Sequence, residues 1–480
     1  MSSQPPGKGF DLIVVGTGFS SSFFLYSYLK KAKKNERILV LERGKYDSLD
    51  WQLENKSSAS LDFSKLFINR NRDKGWYFAP GYGGGSKIWW GCTPRMLPND
   101  FKLKSRYGVG KDWPISYDDI EEYYCRAEEI MAVSGPDNTA LFPRSRPYPQ
   151  PPHLLSDPDK ILQEAYPDRY FPQPCARARE GTKNRNICCA AGVCDICPVD
   201  AKFTILNELD YIYRDPRITL SLQSEVKNLN VNGDSAVSVE YMKNGVSEKA
   251  RGELFILGAN SIFNPFILLK SGLDHPMLGK NLNEQVSKNA RVELDGVDNL
   301  QGSTSITGHG YMLYDGDHRS DYAACLIESY NVPHINGLRA EKGKWRQRMY
   351  LKFIFEDIPS PQNYVKISDE NPELPETVYI DFSDYTRRSV EKLPERLNEL
   401  LKPLPVEDII ISDIINITDG HIMGTAVMGD DPETSVVDRY LKHHRIRNLL
   451  VLGSGSYPTC APANPALTLS ALALWAVDHL

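Results

Sequence analysis

Long apolar runs are missing from this sequence. The longest helix-compatible apolar stretch, Ala466 to Val477, falls well short of the ~20 residues that cross a bilayer, so no membrane-spanning segment is expected. A basic surplus is missing as well. Lys and Arg number 56 against 62 Asp and Glu, a formal charge of -6, which provides no positive field for a nucleic-acid backbone. The opening lacks the charged, apolar and small-residue order of a secretory leader: Met1 to Gly9 is polar, and a strand-like run, Asp11-Leu-Ile-Val-Val-Gly16, follows at once. No leader is therefore expected. Internal repeats and low-complexity tracts are also absent.

What is present is globular α/β patterning. Apolar residues make up 41% and charged residues 25% of 480 positions, which suits two domains rather than one core. Residues 11–42 read as strand, glycine turn, helix and strand: Leu12 to Val15 is apolar, Phe19 to Lys33 has helical spacing, and Arg37 to Leu41 is a second β run. An aromatic, glycine-rich loop, Trp76 to Trp90, precedes an acidic amphipathic helix over Tyr117 to Met131, opened by Ser116 as N-cap. Residues 136–186 carry many prolines and little periodicity, and are expected to form a long surface excursion. A second α/β stretch covers Ile218 to Gly272. From about 290 to 405 the pattern alternates, as in Tyr350-Leu-Lys-Phe-Ile-Phe355 and Thr377-Val-Tyr-Ile-Asp381, which predicts an antiparallel sheet with one covered face. Glycine loops and a closing helix follow from about 415.

The first turn carries Gly16-Thr17-Gly18-Phe19-Ser20-Ser21, a G-x-G-x-x-small string between strand and helix. Gly16 permits the tight turn, Gly18 lets backbone approach a pyrophosphate, and the helix N-terminus at Phe19 and Ser20 offers free N–H groups to it. Glu42 ends the second strand 24 residues after Gly18, where a carboxylate can accept ribose hydroxyls, and Arg43 follows it. In this context the string predicts a dinucleotide site. It does not distinguish FAD from NAD.

Nine cysteines are present, and Cys188, Cys189, Cys194 and Cys197 fall within ten residues, followed by Pro198. Three or four such thiolates can hold one iron–sulfur cluster. Zinc competes, but adjacent cysteines do not match paired C-x2-C knuckles. A vicinal disulfide would be strained. Metal-free thiols remain a further alternative.

Several segments together resemble one family. They are Gly83-Gly-Gly-Ser-Lys-Ile-Trp-Trp-Gly91 with Thr93-Pro-Arg95, Trp113-Pro-Ile-Ser-Tyr-Asp-Asp-Ile120 with Tyr123-Tyr124, and His421-Ile-Met-Gly-Thr-Ala-Val-Met-Gly429 with Asn464-Pro-Ala-Leu-Thr468. With the N-terminal string they resemble the glucose-methanol-choline (GMC) oxidoreductases, nearest the sugar dehydrogenase and pyranose-oxidase branch. The likeness covers both ends and the middle, and is weak over residues 290–410. It implies an α/β fold with a Rossmann-like FAD-binding domain assembled from residues 8–105, 186–290 and 415–480. A cap occupies 106–185, and an inserted antiparallel-sheet substrate domain occupies 291–414. FAD contacts are expected from Gly16, Gly18, Phe19, Ser20, Glu42, Arg43, Gly84, Gly85, Ser86, Trp90, Gly91, Val226, Gly453, Ser454 and Pro465. Where the pyranose-oxidase branch carries a flavin-linked histidine, Lys87-Ile88-Trp89 stands here, so FAD is expected to be non-covalent.

Oxidising an alcohol needs a base for the hydroxyl proton while the C–H hydride leaves. The resemblance places His421 there as base, with Asn464 orienting the alcohol. Set against this, Asn464 before Pro465 also fits a helix N-cap. His443 and His444 read as solvated, and Trp89 and Trp90 as packing beside the flavin. The cysteine segment resembles the insertion of sugar dehydrogenases carrying a three-iron cluster beside FAD. That likeness makes Cys188, Cys189 and Cys194 ligands and Cys197 a fourth candidate. The resulting expectation is an FAD-dependent dehydrogenase of a sugar, glycoside or polyol hydroxyl. The alternatives are an oxygen-using oxidase of the pyranose-oxidase type and a flavin/iron–sulfur electron-transfer subunit. A cytoplasmic location leads, with periplasmic export on a small partner subunit as alternative, and an electron-acceptor subunit is a second expected partner. No spacing rule ranks Trp345, Lys352, Glu356 or Tyr379 as substrate contacts.

Overall fold

The structure, a computed structural model, describes residues 9–137 and 140–480. Met1 to Lys8, within the polar opening, and Asn138 and Thr139, within the proline-rich stretch, lie outside the described residues. Leu12 to Val15 and Ile38 to Leu41 are buried on both strand faces, as parallel strands covered on two sides must be. The strand order of the first sheet is Ile218–Ser221, Ile38–Leu41, Phe10–Val15, Val246–Leu257, Ser235–Lys243 and Ser224–Asn232. Leu449–Val451 pairs with the far half of Val246–Leu257. That long strand belongs to two systems. Its first half pairs antiparallel with Ser235–Lys243, and its second half pairs parallel with Phe10–Val15.

Both ends of the chain meet in this sheet, because Ile256 has Val14 as register partner on one side and Leu450 on the other. The closing helix Ala466–Asp478 packs along the opening helix Phe19–Lys31 and against Tyr117–Met131. Leu467, Ala471 and Leu474 on the closing helix are buried in the same core as Phe23 and Phe24. The Lys31–Asp478 ion pair at 2.8 Å is exposed and contributes little beside that burial.

The second sheet is antiparallel, in the order Val406–Ile411, Val286–Leu294, Arg348–Phe355, Cys325–Tyr330, Ile306–Gly310 and Tyr170–Pro172. Period-two alternation gives it two faces. Val292, Ile327, Leu351 and Phe353 pack with Leu393 and Leu397 of the helix Leu393–Leu400. Glu328, Tyr330, Lys352 and Ile354 line a cavity on the opposite face. The mixed α/β class read from the sequence is the class observed, and no helix among the described residues is long and apolar enough to cross a membrane.

The proline-rich stretch is not the surface excursion expected of it. It supplies the helix Asp157–Ala165 and an edge strand of the second sheet, with Tyr170, Gln173, Cys175 and Arg177 buried. Polar pairing rather than hydrophobic period holds it in place. Tyr170 and Thr307 both donate to Asp159, at 2.6 and 2.5 Å, a network that apolar periodicity cannot reveal.

Candidate active site

A cavity of about 670 Å³ lies between the two sheets, walled by the first strand-to-helix turn, the glycine-rich loop and the C-terminal loops. Gly16 has φ +90°, and a Cβ there would stand 2.6 Å from the Gly258 carbonyl oxygen. A Cβ on Gly18, by contrast, would meet nothing within 4 Å. Open space therefore faces the N-terminus of the opening helix, where no side chain caps the free N–H groups. An anion fits this end of the cavity.

Of the residues expected to hold a dinucleotide, Gly16, Gly18, Phe19, Ser20, Glu42, Arg43, Gly84 and Gly85 line the cavity. Trp90, Val226, Gly453, Ser454 and Pro465 line it too. Two do not. Ser86 is buried behind the loop, donating to Gly83 O at 2.7 Å and accepting from Ile205 N at 3.1 Å. Gly91 backs onto Arg177, whose Cγ would lie 3.2 Å from a Cβ on that glycine. Glu42 also differs from its expected role. Its oxygens accept from Thr17 N at 3.0 Å, Thr17 Oγ1 at 2.8 Å, Gly44 N at 2.9 Å and Gly81 N at 3.1 Å. A ribose hydroxyl would have to displace one of these donors, because a carboxylate has about four accepting positions. Arg43 donates to Glu225 at 2.8 Å and lies 4.2 Å over the Phe263 ring. Lys87 turns away from the cavity and donates to Pro80 O at 3.2 Å.

At the other end of the cavity the loop carrying His421 is held by a buried carboxylate. Glu284 accepts from Asp419 N and His421 N at 2.7 Å and from Thr418 Oγ1 at 3.0 Å, and it is ion-paired with the buried Lys74. Gln285, the next residue, fixes the imidazole. Its Nε2 donates to Ala461 O at 2.7 Å and Ala463 O at 2.9 Å, so its Oε1 must be the atom that accepts from His421 Nδ1 at 2.5 Å. The imidazole proton therefore sits on Nδ1. Nε2 is left as a bare acceptor, 3.4 Å from Asn464 Nδ2 and at the cavity wall. Burial lowers the His421 pKa, partly offset by Asp419 and Glu284. Such a group is neutral at pH 7 and able to take a proton.

Asn464 is not used as a helix cap. The cap residue is Pro465 with no side-chain capping bond, and Asn464 Oδ1 is buried without a partner. Lys352 Nζ lies 2.7 Å from Asp419 Oδ1, so of the four unranked sheet residues it is the one that lines the cavity. Trp345 is exposed, Glu356 is ion-paired with Arg319, and Tyr379 packs edge-on against Trp76. Of the remaining readings, Trp90 lies against Tyr330 and Trp89 against Phe19. His443 corrects the expectation of a solvated residue. It is buried, with Nδ1 accepting from Arg445 N at 3.1 Å and Ile446 N at 3.2 Å, because the loop folds back over its ring. His444 is half-buried, 2.9 Å from Ser435 Oγ.

The cysteine segment presents no assembled ligand set. Among the described residues no group of three or more His, Cys, Asp or Glu side chains is disposed to hold a metal ion. Cys194 Sγ is turned to Ser305 Oγ at 3.1 Å, Cys188 Sγ to Thr304 Oγ1 at 3.5 Å and Cys197 Sγ to Ala201 N at 3.2 Å, and Cys189 is exposed. Three of the four sulfurs thus have separate partners. The fold brings Cys188 and Cys194 within electrostatic reach of one another, but Cys189 is exposed and no three of these sulfurs converge. Gln285, Glu284, Glu328 and Asp419 were missed in the sequence. They carry no motif of their own: the C-terminal loop folding back beside Val286–Leu294 sets Asp419 and His421 on Glu284 and Gln285, and the register of Cys325–Tyr330 with Arg348–Phe355 brings Glu328 to the cavity.

Residues 359–473 match the family model described as GMC oxidoreductase. The chain is 28% identical to the fructose dehydrogenase large subunit of Gluconobacter japonicus over 83% of this chain and 80% of that protein. It is 22% identical to the gluconate 2-dehydrogenase flavoprotein of Pantoea cypripedii over 98% and 94%. Its fold is similar to that of pyridoxine 4-oxidase from Mesorbium loti, with a TM-score of 0.70, 16% identity and coverage of 98% and 99%.

Proposed function

We propose that this chain is a GMC oxidoreductase acting on CH–OH donors, and more narrowly an FAD-dependent dehydrogenase of a sugar, glycoside or polyol hydroxyl. The observation that carries the reading is the orientation of His421, whose bare Nε2 stands beside Asn464 at the cavity wall. The cavity suits FAD on its own terms. Gly18 leaves room for a diphosphate over an uncapped helix N-terminus, and Val226 and Arg43 border the same end. Bound FAD would supply the two-electron hydride acceptor.

The residues then divide the work. Asn464 Nδ2 donates to the substrate oxygen and holds the hydroxyl toward His421. His421 Nε2 takes the hydroxyl proton as the C–H bond breaks, and Gln285 Oε1 stabilises the resulting imidazolium through Nδ1. His421 is the single histidine among the described residues that lines the cavity, and Lys87 faces Pro80, which supports non-covalent FAD. The proton and hydride steps use none of Cys188, Cys189, Cys194 or Cys197; Cys188 and Cys194 face Thr304 and Ser305. The same proton and hydride steps serve a second reading, an oxygen-using oxidase. Anaerobic reduction of the bound flavin by a sugar and polyol panel, followed by readmission of air, tests both. Slow reoxidation is expected. Failure of every sugar and polyol to bleach the flavin would overturn the proposal, and rapid reoxidation would select the oxidase.

A further inference from the structure

The substrate end of the cavity has a polar floor that the proton transfer does not use. Glu328 and Lys352 are register partners on Cys325–Tyr330 and Arg348–Phe355, so their side chains stand side by side on the cavity face of the second sheet. Lys352 Nζ reaches across to Asp419 Oδ1 at 2.7 Å. The Asp419 side chain is 3% exposed, and Oδ2 has no hydrogen-bond partner. A buried carboxylate oxygen beside a cavity without a donor signals a missing ligand group.

Glu328 is under-supplied in the same way. The residue is 2% exposed, and its nearest donors are Tyr330 OH at 3.3 Å and Gln173 Nε2 at 3.4 Å. Charge-assisted bonds are normally shorter, about 2.5–2.9 Å. His309, also 3.4 Å away, cannot help. Gln173 Oε1 accepts from Arg177, so Gln173 Nε2 must donate to His309 Nε2, 2.7 Å distant. Burial lowers the His309 pKa and keeps the ring neutral. His309 Nε2 is thus an acceptor, and Glu328 receives no proton from it.

Around the bare His421 Nε2, the wall therefore offers Glu328, Asp419 Oδ2 and Asn464 Oδ1 as acceptors with unused capacity. Lys352 is the one ammonium, and it leaves one negative charge in excess. We infer that Glu328, Asp419 and Lys352 form a hydroxyl-recognition floor that takes neutral, polyhydroxylated substrates and rejects sugar acids. Adjacent hydroxyls donate to the two carboxylates and accept from the ammonium, which supplies each floor atom with a partner. A substrate carboxylate brings a second negative charge against Glu328 and Asp419 in a site with little water, and like charges there repel strongly. The inference rests on the sugar and polyol reading above and narrows it.

The test is stopped-flow reduction of the flavin under anaerobic conditions, with D-sorbitol and D-glucose as neutral probes and D-gluconate as the anionic one. Each variant is first checked for flavin absorbance and for its thermal midpoint. At equal concentration gluconate is expected to reduce the flavin at least ~10-fold more slowly than the better neutral probe. Glu328→Gln should weaken apparent binding of that probe about tenfold, the scale of one charged hydrogen bond, and should narrow the gap to gluconate. Glu328→Gln combined with Asp419→Asn leaves Lys352 as the surviving charge and should reverse the preference toward gluconate. Two outcomes overturn the inference while leaving the sugar reading intact: gluconate matching the neutral probes in the native protein, or a folded, flavin-loaded double variant with unchanged preference. Reduction by simple monohydric alcohols alone would overturn both.

Discussion

Replacing Gln285 by leucine removes the acceptor that keeps the His421 proton on Nδ1, and its effect can be worked from the structure. In the native site the amide cannot reverse, because Ala461 O and Ala463 O both require its N–H groups. In Gln285→Leu the Nδ1–H faces a methyl group, and a buried donor left unsatisfied costs about 1–3 kcal/mol. The imidazole can escape by moving its proton to Nε2 and donating to Asn464, whose Oδ1 is unpartnered. That tautomer cannot accept the substrate proton. At about 1.4 kcal/mol per decade, the flavin reduction rate should fall about 5- to 150-fold, short of the ~10⁴ seen where an orienting partner imposes the wrong tautomer outright. The assay is anaerobic stopped-flow reduction at saturating substrate, run on Gln285→Leu, His421→Ala and the double variant. If Gln285 acts through the imidazole, adding Gln285→Leu to His421→Ala should cost nothing further. A single variant within threefold of native, or full additivity in the double, would refute the assignment.

Four other outcomes follow from the same structure. His421→Ala should lower flavin reduction at least ~100-fold, the reach of one general base, with the flavin still bound. Because burial holds the His421 pKa below its ordinary 6.5, the base stays neutral down to that pH. The reduction rate should be flat near pH 7 and fall only below pH 6.5, so an acid limb above it would contradict the burial argument. Burial likewise pushes His153 down to about 4. Its contribution to stability is complete above the unfolded value near 6.5 and is lost as pH falls toward 4, so the thermal midpoint should be lower at pH 5 than at pH 7. Protein prepared anaerobically should contain less than one iron per chain, and stoichiometric iron that disappears with Cys194→Ser would reverse the account of the cysteine segment.

The nucleotide end was legible because it is local. Gly16, Gly18 and the helix from Phe19 follow one another in the chain, and a tight turn feeding a helix needs those residue types in that order. Alternation over Tyr350 to Phe355 announced a two-faced strand for the same reason, since side-chain period is a property of the backbone. The family resemblance added His421 and Asn464 as a pair 43 positions apart, which no local rule joins. Tertiary structure alone decided the rest. The pairing of Leu449–Val451 beside Val246–Leu257 carries the C-terminal loops to the cavity, Gln285 then sets which imidazole nitrogen is bare, and the register of Glu328 with Lys352 puts their charges together. Cys188 to Cys197 shows the converse. Closeness in sequence fixes which atoms are near one another, but their direction is chosen by partners such as Ser305 and Thr304, more than a hundred residues away.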